Sequence, residues 1–269
     1  MNSLPRSARL AFSLVELSIV LVILGLLTGG ILAGQSLIRA AELRSITTQI
    51  NLYTTAAQTF RDKYFAIPGD MNNATAFWGT DNVGCPNGGG STGTCNGDGN
   101  GQIGLIASGC EAQEFWRQLA RAGLIEGSYT PLTASACYDL PVLGTNIPKT
   151  KLSNVGFGIA YTANIVSNAG GSFPSNFLYT GSYGNAFYIG GNNISGVNYL
   201  QMVPAFKVEE AWNIDTKMDD GRPDLGSVTS VLLGPYNSGC ATSATPGSAA
   251  YNLSNTAGSQ CSLVIKSGL

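Results

Sequence analysis

Few side chains in this chain of 269 residues are equipped for chemistry, and there is no histidine among them. That removes Ser-His-Asp and Cys-His nucleophile systems and every His-ligated metal site. Four groups remain. Glu16 is a lone carboxylate inside the run "SARLAFSLVELSIVLVILGLLTGGILAGQS". Asn96, Asp98 and Asn100 alternate side-chain oxygens in "NGDGNGQI", with Gln102 next in step and Glu111 further on. Asp215, Asp219, Asp220 and Asp224 crowd one short stretch. Six cysteines form three local groups, Cys85/Cys95, Cys110/Cys137 and Cys240/Cys261.

The oxygen-rich stretch "NGDGNGQI" suits a hard cation, and calcium is the candidate because only oxygen ligands are on offer. Gly101 permits a sharp turn and Ile103 can anchor the loop, as in the first part of an EF-hand-type calcium loop. The bidentate acid expected at the far end would fall at Ala107, so Glu111 or Glu114 from the following helix would have to substitute. The alternative is a solvated Asn/Gly turn clamped by a Cys85–Cys95 bridge. The Gly-rich loop 84–104 lacks the G-x-x-x-x-G-K phosphate cradle, and Asp98 would repel a phosphate. An even cysteine count behind an export-like N-terminus favours disulfides. Of fifteen pairings, nearest neighbours are the expectation. No C-x-x-C pair supports a metal site instead. The acids from Asp215 to Asp224 suit either calcium or Asx turns with ion pairs to Lys217 or Arg222. Nothing marks two of them as a glycosidase pair. Charged residues make up 11% and the net charge is −2, so no electrostatic footprint for nucleic acid exists.

The elements that position these groups begin with one long helix. Arg6 and Arg9 are the only charges before Glu16, and Leu17 to Ile38 carries none. About 20 apolar residues span a bilayer core, and the arginines place the N-terminal flank in the cytoplasm. A cleaved secretory signal would not carry a carboxylate at the start of its apolar core. Past Ile38 the helical pattern continues: Leu43, Ile46, Ile50, Tyr53, Ala57, Phe60 and Tyr64 recur at alternating spacings of three and four. No proline occurs between Phe12 and Pro68. The spacing predicts one helix from about Phe12 to Phe65, roughly 75–80 Å long, stopped by Pro68 and Gly69.

The stretch "RLAFSLVELSIVLVILGLL" resembles the prepilin processing and methylation motif of type IV pilins and type II secretion pseudopilins. The resemblance implies cleavage between Ala11 and Phe12 by a prepilin peptidase, followed by methylation of the new α-amino group. It makes Glu16 the glutamate that meets a neighbouring subunit's Phe12 amine. The family usually has glycine before the cut, where this chain has Ala11, and many type IV pilins have a proline in the first helix. Here Gly25, Gly29, Gly30 and Gly34 stand instead, which weaken the helix or let helices pack closely. Major pseudopilins use acidic loops near the C-terminus for calcium, which bears on Asp215 to Asp224. Type IV pilins often end in a disulfide-bounded region, and Cys240 to Cys261 looks similar.

The expected architecture is α+β and pilin-like: a cleaved leader at 1–11, a membrane-spanning or fibre-core half at 12–38, an amphipathic half at 39–66, and a globular head at 67–269. The head should hold an amphipathic helix, "EAQEFWRQLARAGLI", with Phe115, Leu119 and Ala122 on one side and Gly123 as its stop. A shorter helix ends at Gly221. Strands are expected in "NVGFGIAYTANIV", "NAFYIGGN" and "VTSVLLGPY", forming a half-buried antiparallel sheet. The expected partners are further copies or related pilin subunits in a helical fibre, the prepilin peptidase and methylase, an inner-membrane assembly platform, and the inner membrane before assembly. No cofactor is required, calcium aside. No catalytic residue is expected. The rival class is a membrane-anchored binding or hydrolytic domain that keeps its anchor uncut.

Overall fold

The computed structural model describes residues 13–80, 93–104, 110–130, 141–162, 178–179, 181, 183–191, 202–231 and 239–269. The chain divides into two compact units, Met1–Glu42 and Leu43–Leu269. One helix, α1 (Leu14–Tyr64), runs through both without a break. In the first unit every residue of α1 from Leu14 to Ile38 is exposed. In the second unit the expected stripe is buried: Ile46, Ile50, Tyr53, Ala57 and Phe60 sit in the core, with Leu43 and Tyr64 packed against it. A stripe at spacings of three and four faces one side of a helix, so these residues enter the core together. The helix stops at Phe65, three residues before Pro68, in a left-handed turn with φ of 54°.

The head continues with α2 (Thr75–Trp78), α3 (Glu111–Arg121), β1 (Val155–Tyr161), β2 (Asn185–Gly191), α4 (Val208–Met218), β3 (Val228–Ser230) and β4 (Leu263–Lys266). The strands form one antiparallel sheet in the order β1-β2-β4-β3. The register sets Val155 opposite Gly191 and Tyr161 opposite Asn185, and Phe187 lies between Ile159 and Ile265. Tyr53 of α1 meets Trp116 of α3 and Phe157 of β1 edge-on, at 5.0 and 5.1 Å between ring centres. Phe115 meets Phe187 of β2 at 6.0 Å. Edge-on aromatic pairs at these distances add to the stabilisation from buried area, and this set ties α1, α3 and the sheet into one core.

Three features differ from the pattern in the sequence. The sheet is not half-buried, because β1 is buried up to Ala160 and β2 throughout. The strand β4 occupies an inner position, although Cys240 to the C-terminus reads as a cysteine-bounded loop. Four apolar-leaning residues carry little periodicity of their own, and pairing with β2 and β3 makes them a strand. Finally, α3 is not amphipathic in its burial. Glu111, Glu114, Arg117 and Gln118 are buried along with Phe115, Trp116 and Leu119. Glu111, Glu114 and Gln118 bond to the loop 94–104, Gln118 also accepts the Gly69 N–H, and Arg117 pairs with Glu114 inside the helix. Gly123 does stop the helix, with φ of 72°.

The turn after α1 depends on one glycine. Gly69 has φ of 86°, and a Cβ there would lie 2.3 Å from the Glu111 carbonyl oxygen, so backbone would have to move. Gly69→Ala should therefore destabilise the head by roughly 2–4 kcal/mol. Thermal denaturation of the purified full-length protein measures it, and an unchanged midpoint would contradict this packing.

Candidate functional site

Glu16 stands in the first turn of α1. One of its carboxylate oxygens accepts the Ser13 N–H at 2.9 Å, and Ser13 Oγ accepts the Val15 N–H at 3.3 Å. Two N–H groups at the helix start, which have no partner within the ladder, are thereby satisfied. The sequence carried the signal: Ser13-Leu14-Val15-Glu16 has the S-x-x-E form of a capping box ahead of an apolar run. A carboxylate near the helix N-terminus also interacts favourably with the helix dipole. The other hydroxyls of this segment are likewise satisfied within the helix. Ser18 donates to the Val15 carbonyl at 2.9 Å, Thr28 to Leu24 at 2.8 Å and Ser36 to Ala33 at 2.8 Å. A helix that internalises its polar groups is the kind a hydrocarbon environment tolerates, and α1 is long and apolar enough to cross a membrane. Ala11 and Phe12 lie outside the described residues.

The second group is built where the turn after α1, the loop 94–104 and α3 meet. Asp98 and Glu111 come together, joined by Asp70, with one carboxylate oxygen of each within 4.8 Å of the others. Asp70 was not singled out in the sequence, being far along the chain from Asp98. One of its oxygens accepts the N–H groups of Gly99 and Asn100 at 2.8 and 3.0 Å, the other that of Gly101 at 2.8 Å. Glu111 accepts from Asp98 N–H at 3.0 Å and Gly104 N–H at 2.6 Å. Two of the three remaining expected ligands, Asn96 and Asn100, have their side-chain oxygens on backbone amides. Asn96 Oδ1 accepts the Thr75 N–H at 2.9 Å, and Asn100 Oδ1 accepts the Gln102 N–H at 2.7 Å in an Asx turn. Gln102 contributes that N–H to the turn. Deeper in, Glu114 pairs with Arg117 at 3.0 Å with both side chains buried. Its other oxygen accepts the Thr94 hydroxyl at 2.5 Å and the Cys95 N–H at 3.2 Å. The acids of this region act as acceptors for a loop rich in backbone donors.

The third group follows the same logic. Asp215 accepts the Gly221 N–H at 3.0 Å and the Tyr251 hydroxyl at 2.8 Å. Asp219 accepts the N–H groups of Ser227 and Val228, and Asp220 closes an Asx turn on the Arg222 N–H at 2.9 Å. Asp224 accepts from Gly247 and Ala249 at 2.6 and 3.2 Å and pairs with Arg222 at 3.4 Å. Asp215, Asp219 and Asp220 also approach within 4.8 Å as a possible cation cage. Both oxygens of Asp215 and one each of Asp219 and Asp220 accept hydroxyl or amide donors, the work of a loop anchor. The loop they anchor is closed by the Cys240–Cys261 disulfide, a nearest-neighbour pair. Cys95 and Cys110 are also disulfide-bonded, and Cys85 and Cys137 lie outside the described residues.

Set against models of protein families, against characterised proteins and against solved structures, the chain matches none.

Burial raises the titration of Asp70 and Glu114 as well as that of Glu111 and Asp215, the two with the clearest window. It pushes Glu111 up to about 7, helped by the charges of Asp98 and Asp70 and opposed by the Gly104 and Asp98 amides. It pushes Asp215 up to about 7 as well, against the Tyr251 hydroxyl and Gly221 amide, with Asp220 and Asp219 adding repulsion. A folded-state pKa raised above the unfolded value contributes stability below the unfolded pKa and loses it as pH rises through the folded one. For these groups the window runs from the ordinary carboxylate range of about 4 up to about 7. The head should thus lose stability on going from mildly acidic to neutral buffer, and Glu111→Gln and Asp215→Asn should each flatten that slope. Thermal midpoints across the window test this, and a wild-type midpoint that climbs towards pH 7 would contradict it.

Proposed function

We propose that this chain is a structural subunit of a type IV pilus-like filament, processed by a prepilin peptidase and assembled through the apolar half of α1. The observation that carries this reading is the division of α1. One half buries a stripe in its own head, while Leu14 to Ile38 is mostly apolar, exposed and carries no charge but Glu16. Such a surface needs a non-aqueous neighbour. The inner membrane supplies it before assembly, and the same helices of other copies supply it in the fibre. Its resemblance to the prepilin motif supports the order of events: insertion with the arginines inside, cleavage between Ala11 and Phe12, methylation of Phe12, then extraction by an inner-membrane assembly platform.

Within that scheme Glu16 has a defined part. Its cap on Ser13 orients the carboxylate at the helix start, the end at which cleavage creates a cationic α-amine. A neighbour's amine paired with this carboxylate in a low-dielectric fibre core sets axial register. Removing one partner of such a pair costs roughly 3–5 kcal/mol, so the pair selects the aligned arrangement over slipped ones. A pseudopilin of type II secretion would use the same helix physics and is the second reading. A membrane-anchored binding or hydrolytic domain that keeps its anchor uncut is the third.

Mass spectrometry of the protein from its native membrane should show an N-terminal, N-methylated Phe12 with residues 1–11 absent. An intact leader, or cleavage beyond Ile38, would contradict the reading. Glu16→Ala should leave the thermal midpoint of the head unchanged while lowering filament yield by at least about tenfold. Normal assembly of that variant would remove the register role from Glu16.

A further inference from the structure

The end of α1 is made in an uneconomical way. Phe65 takes the left-handed conformation, φ 54°, as it closes the helix with its N–H on the Arg61 carbonyl at 2.8 Å. Glycine or asparagine ordinarily holds that position, because an L side chain with φ above zero meets its own backbone. A bulky residue is tolerated there when its side chain is needed. In the fold it is not needed, since Phe65 is 92% exposed. Backbone strain and a stranded apolar ring at one residue point to an external contact.

The ring stands on the rim of a cleft of about 260 Å³ whose other walls include Arg61, Ile67, Asp70, Asn72 and Gly101. These walls decide the chemistry of the occupant. Arg61 is exposed and supplies donors, whereas Asp70 is 4% exposed and both of its carboxylate oxygens already accept loop amides. A wholly apolar occupant would strand the guanidinium away from water. Asn72 supplies both a donor and an acceptor. At Gly101 a Cβ would meet nothing within 4 Å, so a ligand can approach its backbone closely. The occupant therefore has one apolar face and an edge that both donates and accepts hydrogen bonds. A pyranose has that form, with a face of C–H groups and a rim of hydroxyls. The cleft is smaller than the ~300 Å³ at which drug-sized sites begin, which suits a single ring at the end of a longer chain.

We propose that this cleft binds the terminal pyranose of a glycan, stacked on Phe65 and hydrogen-bonded through Arg61 and Asn72. All of these residues belong to the unit Leu43–Leu269, so the inference stands apart from the filament reading.

The test uses the full-length chain in a detergent without a sugar headgroup. Saturation-transfer NMR is run with methyl glycosides of glucose, galactose, mannose and N-acetylglucosamine, each alone. Saturable transfer to the ring protons of at least one is expected, with a Kd on the order of a millimolar. Phe65→Gly should weaken it by roughly tenfold or more, with a thermal midpoint equal to or above wild type because glycine relieves the left-handed strain. Asn72→Ala should weaken it with no change in midpoint, and Phe65→Trp should retain it. The proposal is overturned by absence of transfer from every glycoside, by affinity unchanged in Phe65→Gly, or by a fall in that variant's midpoint, which would give the ring to the fold. Competition by arginine methyl ester would assign the cleft to a cationic side chain and overturn it too.

Discussion

The constraint on which the rest depends is that one unbroken helix must live in two environments. From Ile46 to Phe60 its apolar stripe is the spine of the head's core. From Leu14 to Ile38 the helix is apolar on every side and exposed. Burying an aliphatic side chain stabilises by about 1.5–3 kcal/mol, so so many exposed apolar residues cannot stay in water. Hydroxyls bonded back to their own helix and a carboxylate folded over the Ser13 amide satisfy much of this half's polar side-chain chemistry internally. What it lacks is an apolar neighbour, which a membrane or the matching helices of other copies would supply.

The head solves a different problem, that of holding loops with few charged residues. Its answer is repeated at several places: a buried or half-buried acid accepts backbone amides from a glycine-rich segment. Asp70 and Glu111 gather the amides from Asp98 to Gly104. Asp219 gathers Ser227 and Val228, and Asp224 gathers Gly247 and Ala249. Buried donors left unmade are expensive, so each acid both closes a loop and fixes its route. The same arrangement explains the raised titration of Glu111 and Asp215, since amides do not fully replace the hydration the carboxylates lose.

Much of this was legible in the sequence, and what was not has a physical reason. The stripe from Leu43 to Tyr64 was readable because helix periodicity is local. So was the start of α1, once Ser13 and Glu16 are read as a cap rather than as a stray acid. The buried polar side of α3 was invisible because its partners, Thr94, Cys95 and Asp98, arrive from a separate loop. Asp70 was missed for the same reason: "PGD" reads as a turn, and only the fold brings it to Asp98 and Glu111. The strand β4 needed β2 and β3 to exist. Local pattern thus gave α1, α3 and the first strands, while β4 and the pairing of distant polar groups had to come from the structure.

The central claim is that copies of this chain cover one another's apolar helix halves. Immunogold electron microscopy of cells, with an antibody to the head, tests it most directly. The account predicts label repeated along filaments that grow from the cell envelope and disappear when Ala11 is changed to block cleavage. Label confined to the envelope, with the chain recovered as an uncut single-pass monomer, would contradict it.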